Sequence, residues 1–203
     1  MPAPAVANTV VGKIGNVYVV PYGTAAPFTI PPAATFDITA ATLPAAWTAG
    51  NLGYIHEVDT PTFHFDLKTQ DVAAWQSNGN PIRVLQTGKI RAVEFTVREL
   101  NKVVWGLVEP GSTYTAGAAG SNTVTVPNTA QTPDKAMLVE LQDLDYGAKA
   151  WFYVPKVNVV TIGNIQVQRD DTASCKLNAQ FLPATGLPTD PLYYIASNLP
   201  GMQ

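Results

Sequence analysis

Residues 89–98 read Lys89-Ile90-Arg91-Ala92-Val93-Glu94-Phe95-Thr96-Val97-Arg98. In an extended chain Val93, Phe95 and Val97 project to one side, and Glu94, Thr96 and Arg98 to the other. A half-buried β-strand has this period of two. Immediately afterwards the period changes: Leu100, Val103, Val104 and Leu107 fall at i, i+3, i+4 and i+7. That spacing puts four apolar side chains on one helical face, so residues 99–108 are predicted as a short amphipathic helix, ended by Pro110-Gly111.

The strand pattern recurs on both sides of this segment. Cys175, Leu177, Ala179 and Phe181 alternate with Lys176, Asn178 and Gln180, the first set facing inward. Met137, Val139 and Leu141 alternate with Leu138, Glu140 and Gln142; Ala150, Phe152 and Val154 alternate with Trp151, Tyr153 and Pro155. Asp145-Tyr146-Gly147 between these two predicts a hairpin turn. Further strands are expected at 13–22, 52–58, 62–67, 122–127, 164–169 and 192–195. Asp59-Thr60-Pro61 and Asp170-Asp171-Thr172 are the turns of two of the pairs. Seventeen prolines and fifteen glycines separate these short Val-, Ile-, Thr-, Tyr- and Phe-rich pieces. The expected fold is all-β, a sandwich or barrel of nine or ten strands with one short flanking helix.

Three segments resist assignment to regular structure. Residues 27–46 are proline-rich and read as an extended arm or loop. Residues 69–81 are polar with Trp75 in the middle and read as a long loop, a length that usually signals function in a compact domain. Residues 111–122 are small and Gly/Ala/Ser/Thr-rich, a flexible loop. Residues 1–12 and 183–203 are expected to be irregular. No solenoid repeat occurs, and one domain spanning 1–203 is expected, with residues 111–133 the best place for a cut.

Only 13% of residues are charged and 46% are hydrophobic, about half the charge of an ordinary soluble domain. A chain so poor in charge is expected to cover part of its surface with neighbours. The net charge of −3, without a basic cluster, argues against tight nucleic-acid binding. The lone cysteine, Cys175, excludes an internal disulfide and reads as a small buried hydrophobe. Residues 1–9 carry no cation and no long apolar run, unlike a secretion signal, and no stretch reaches the length of a membrane helix.

A search for catalytic chemistry is largely negative. His56 and His64 flank Thr60 symmetrically, with Glu57 and Asp66 nearby; polar residues on the open face of a hairpin explain them better than a metal site. No Gly-x-Ser-x-Gly elbow occurs. Gly117-Ala118-Ala119-Gly120-Ser121 lacks the lysine of a phosphate-binding loop. Asp143, Asp145, Asp170 and Asp171 are the ordinary acids of turns. No catalytic residue, cofactor or metal ligand is assigned, and an enzyme is not expected. Trp47 and Trp75, in expected loops, are the aromatics that suit a recognition surface; Trp105 and Trp151 are core candidates. A carbohydrate-binding or adhesin-like sandwich is therefore the alternative reading.

Leu52-Gly53-Tyr54-Ile55-His56-Glu57, then Ala74-Trp75-Gln76-Ser77, then Pro81-Ile82-Arg83-Val84, then Phe95 and Glu99-Leu100-Asn101-Lys102 follow one another in the chain. This order resembles the major tail tube proteins of siphophages that infect actinobacteria. In that family a Leu-Gly-Tyr strand, a Trp-Gln-Ser loop and a strand-then-helix segment recur in the same order, and the Asp170-Asp171-Thr172 turn is similar as well. The resemblance implies a virion protein, made in the host cytoplasm, whose six copies close into a ring. Rings stack into a tube that holds a tape measure protein, meets tail terminator and distal tail proteins at its ends, and passes DNA without sequence-specific binding. It also implies that residues 69–81 bridge successive rings. Trp75, Gln76, Ser77, Trp47, Tyr54 and Arg83 are the candidate interface residues.

Overall fold

The computed structural model of the chain describes residues 14–30, 36–55, 60–73, 81–128, 132–143, 147–161, 165, 173–187 and 191–198. The strands are β1 (Ile14–Pro21), β2 (Thr62–Ala73), β3 (Pro81–Val97), β4 (Thr113–Ala116), β5 (Asn122–Thr125), β6 (Lys135–Asp143), β7 (Ala148–Thr161), β8 (Cys175–Phe181) and β9 (Tyr194–Ser197). Two short helices accompany them, α1 (Ala45–Thr48) and α2 (Lys102–Val108). Seven strands form one antiparallel sheet in the order β1-β6-β7-β8-β3-β2, with β9 on β7. β4 and β5 form a separate hairpin.

The sheet curls until its two ends meet. Val17 and Val19 on β1 and Val93, Phe95 and Val97 on β3 share one core with the inward residues of β6, β7 and β8. The chain between α1 and β2 stitches the ends together. Val19 N–H donates to Gly50 O, Leu52 N–H to Val17 O, and Arg98 N–H to Tyr54 O. Single bridges at Tyr18–Asn51 and Ile55–Val97 complete the seam. Gly50 is required there: a Cβ would run into the Val19 carbonyl and the Val20 side chain. The strand expected over 52–58 is thus a seam at 51–55, with 56–59 outside the described residues. The partner of β2 is β3, not the seam.

Helix α2 plugs the core. Asn101 accepts backbone N–H groups from Val103 and Val104, both at 3.0 Å, which satisfies donors the first turn cannot. Val104 and Leu107, from the predicted apolar face, are buried against Leu52 and the sheet. Each such side chain contributes about 1.5–3 kcal/mol on leaving water.

A second core lies on the other side of the sheet. It joins Tyr18, Val20, Ala136, Leu138, Trp151 and Tyr153 to Phe28, Ile38 and Trp47. Phe28 stacks on Trp151 at 6.3 Å and meets Tyr153 edge-on at 5.9 Å. The described parts of 27–46, expected as an extended arm or loop, lie folded over the sheet as a packed cover. Its Phe and Ile side chains supply the adhesion. Two-sided burial also explains why β6 reads Ala136-Met137-Leu138-Val139, apolar on both faces.

Other expectations fare variously. The β6–β7 hairpin and the inward set of β8 are found, with Cys175 buried and its thiol pushed up by burial. The 111–122 loop is corrected to β4 with a 3-10 turn leading into β5. Residues 164 and 166–169, and the turns at 145–146 and 170–172, lie outside the described residues. No helix among the described residues is long and apolar enough to cross a membrane.

Candidate assembly surface

The long hairpin of β2 and β3 outruns the sheet. β8 pairs with β3 only from Ala92 to Val97, whereas β2 pairs with it from Glu94 out to Pro81. Beyond Ala92 the two strands have only each other among the described residues, and they form a projecting ribbon. The loop expected over 69–81 is corrected accordingly: Thr69–Ala73 and Pro81 are strand. Trp75, Gln76 and Ser77, the sequence candidates in that expected loop, lie outside the described residues. β-propensity was hidden there by Lys68, Thr69, Gln70 and Asp71, polar because both faces of a lone ribbon meet water.

The core face continues along this ribbon. Phe63, Phe65 and Leu67 stand opposite Val93, Arg91 and Lys89, so these six share one face. Phe63 is anchored in the body, 4.8 Å from Phe152 and 6.5 Å from Phe181. Phe65 stacks on Phe63 at 6.2 Å, and Tyr193 lies 6.5 Å away. The cover then runs out: Phe65 is 53% exposed and Leu67 54%. Lys89 and Arg91 flank the uncovered pair, and the Arg91 guanidinium lies 5.2 Å from the Phe65 ring centre. That guanidinium also donates to the carbonyls of Asp66 and Ile90. Arg83, a sequence candidate, is exposed further out, opposite Val72. His64 is exposed opposite Ala92, and His56 is outside the described residues. No group of three or more metal-ligating side chains occurs among the described residues.

Charge is distributed unevenly. Residues 62–91 hold Lys68, Arg83, Lys89 and Arg91 against Asp66 and Asp71, a net +2, which leaves −5 for the rest of a chain of net −3.

The remaining candidates separate. Tyr54 is 79% exposed, on the seam at the far end of β3. Trp47 is fully buried, its indole N–H donating to Ala25 O at 2.9 Å. As an exposed recognition aromatic it is corrected to a core residue; the proline-rich context that suggested a loop belongs to the cover folded over it. The carbohydrate-platform reading loses one of its two aromatics with it.

Two features escaped the sequence reading. Glu140 lies in the wall of the second core and accepts from Trp151 Nε1 at 3.0 Å, Tyr18 Oη at 3.2 Å and Asn16 Nδ2 at 3.2 Å; Lys149 Nζ is 3.2 Å away. Burial alone would raise its carboxyl, but the bonds from Trp151, Asn16 and Lys149 and the lysine charge hold it below the ordinary value. Burial and the Glu140 charge push the Tyr18 hydroxyl up. A glutamate directly after the apolar run Ala136–Val139 was the available signal. The second feature is a mainly apolar cavity of about 400 Å³ between β1, α2 and β4, with Lys102 and Lys135 in its lining and no carboxylate. Burial lowers the Lys135 ammonium, while Lys102 sits 5.7 Å from the Tyr114 ring centre.

These arrangements hold and present surface; none assembles a nucleophile with a base. Compared with curated proteins, the chain has no match. The family described as phage tail tube protein matches residues 3–202, nearly the full length. A curled antiparallel sheet with an overhanging, apolar-striped ribbon is thus the frame of a phage tail component, and the chain belongs to the phage tail tube protein family.

Proposed function

We propose that copies of this chain close into six-membered rings that stack into the tube of a long, non-contractile tail, in a phage of an actinobacterial host. The tube surrounds a tape measure protein before DNA passes through it, and tail terminator and distal tail proteins meet its two ends. Assembly takes place in the host cytoplasm. Family membership supports the structural role, and the ordered Leu-Gly-Tyr, Trp-Gln-Ser and Glu-Leu-Asn-Lys motifs support the type of tail.

The single observation that carries self-assembly is the apolar stripe running off the barrel onto the ribbon. Phe65 and Leu67 remain more than half exposed on this two-stranded element. Free two-stranded ribbons are marginal in water, and uncovered apolar stripes mark interaction surfaces. The outer edge of β2, which has no strand partner among the described residues, adds a second demand for a partner.

The test is concentration-dependent assembly of the purified chain, followed by sedimentation velocity and negative-stain microscopy. Tubes, or rings of six, are the expected product. Phe65→Ser with Leu67→Ser should suppress assembly and leave the melting temperature of the subunit nearly unchanged, since both side chains are mainly exposed. A chain that remains monomeric at millimolar concentration would end this reading.

A further inference from the structure

We propose that the ribbon of one copy seats on the Tyr54–Glu99 corner of the next, so that copies join head to tail. The inference rests on the tube-forming function above and names the two surfaces that meet. β3 serves as the ruler. Its ribbon end starts at Pro81, and its other end, Val97, pairs with Ile55 on the seam. Eight residues separate Lys89 from Val97, about 26 Å of extended chain. The Phe65–Leu67 stripe and Tyr54 therefore lie toward opposite ends of the barrel.

The corner is built to hold an aromatic ring beside a carboxylate. Gly53 has φ +80°, a left-handed conformation that turns the seam outward just before Tyr54. The Glu99 side chain occupies the space where a Cβ on Gly53 would stand. Tyr54 and Glu99 are thereby fixed as neighbours. Both are exposed, and Tyr54 is the most exposed of the large hydrophobic side chains described. Glu99 has no ion partner among the described residues.

The ribbon supplies the complement: two uncovered apolar side chains, Phe65 and Leu67, beside two cations, Lys89 and Arg91. Its net +2 faces a body of net −5. Aromatic and arginine side chains are the usual anchors of protein interfaces, and opposite charge fixes which surfaces meet. The two patches are different, so the contact is not self-complementary. A heterologous contact between opposite ends propagates in one direction instead of closing a dimer.

The experiment compares wild type, Glu99→Lys, Lys89→Glu and the double reversal, measuring the concentration at which assemblies appear by sedimentation velocity. Each single reversal should raise that concentration about tenfold, the effect of ~1.4 kcal/mol per contact. The double variant should return to within about threefold of wild type. Tyr54→Ser, which leaves α2 untouched, should raise it tenfold as well and covers the case that Glu99→Lys fails to fold. Assembly of the single variants and of Tyr54→Ser at the wild-type concentration overturns the contact and leaves the tube reading standing, as does a double variant no better than either single. A wild-type chain that never assembles overturns both.

Discussion

Replacing Glu140 by alanine should cost the subunit about 3–5 kcal/mol, because it strips a carboxylate from donors that have been taken out of water. Trp151 Nε1 and Tyr18 Oη are both buried where they meet Glu140. Each orphaned donor costs about 1–3 kcal/mol, and the lysine loses its counter-charge. For a chain of this size one kcal/mol moves the melting temperature by roughly 2–4 °C, so Glu140→Ala should melt about 10 °C lower. Glu140→Gln keeps the shape and one acceptor, and should lose less than half as much. The assay is thermal unfolding by circular dichroism at a concentration where the chain is unassembled. The pH profile gives an independent check. The folded carboxyl lies below its ordinary value of 4.5, so its stabilisation is complete above that value and is lost as pH falls through the lower, folded one. Glu140→Gln should flatten that acid limb. A loss under about 3 °C for Glu140→Ala, or an unchanged acid limb in Glu140→Gln, would refute the view that this network holds β1, β6 and β7 together.

Other expectations follow from single contacts. Asn101→Ala removes the acceptor for Val103 and Val104 and should cost about 1 kcal/mol, seen as a melting temperature lower by roughly 3 °C; Asn101→Asp should recover most of it. Trp47→Ala empties the second core and should cost about 3–5 kcal/mol in urea titrations of the unassembled subunit, whereas a truly exposed tryptophan would cost almost nothing. Gly53→Ala forces an unfavourable positive φ and displaces Glu99; it should lose about 1–2 kcal/mol of stability and, on the head-to-tail contact proposed above, assemble less well than that loss explains.

The period-two segments of β3 and β8 were legible because each has one face that must be apolar, and burial leaves that mark on every second residue. The face of α2 was legible for the same reason at period 3.6. Pairing was not. Phe63, Phe65 and Leu67 were recognised as a strand, but the choice of β3 as partner, rather than the Leu52–Ile55 stretch, depends on how the sheet closes, and hydrophobic period says nothing about that. The cover was missed for a different reason. Phe28, Ile38 and Trp47 hold it to the sheet, and reading the prolines first left the segment as an arm or loop with no packing partner. Tyr54, singled out through its motif, is exposed; Phe65 and Leu67 were read only as part of a strand, since sequence alone cannot tell where a core face leaves the body.

The pairing of β1 with β6 has a consequence for how the chain is made. Tyr18 and Glu140 are 122 residues apart. At about 5–20 residues per second on the ribosome, the first strand waits roughly 6–24 s before its partner emerges. The ribbon needs no such wait, because β2 and β3 adjoin in the chain. Its sticky stripe is therefore presented in every nascent polypeptide well before the barrel exists. Lys89 and Arg91 place like charge beside that stripe, which disfavours its pairing with the same stripe on a neighbouring unfinished chain.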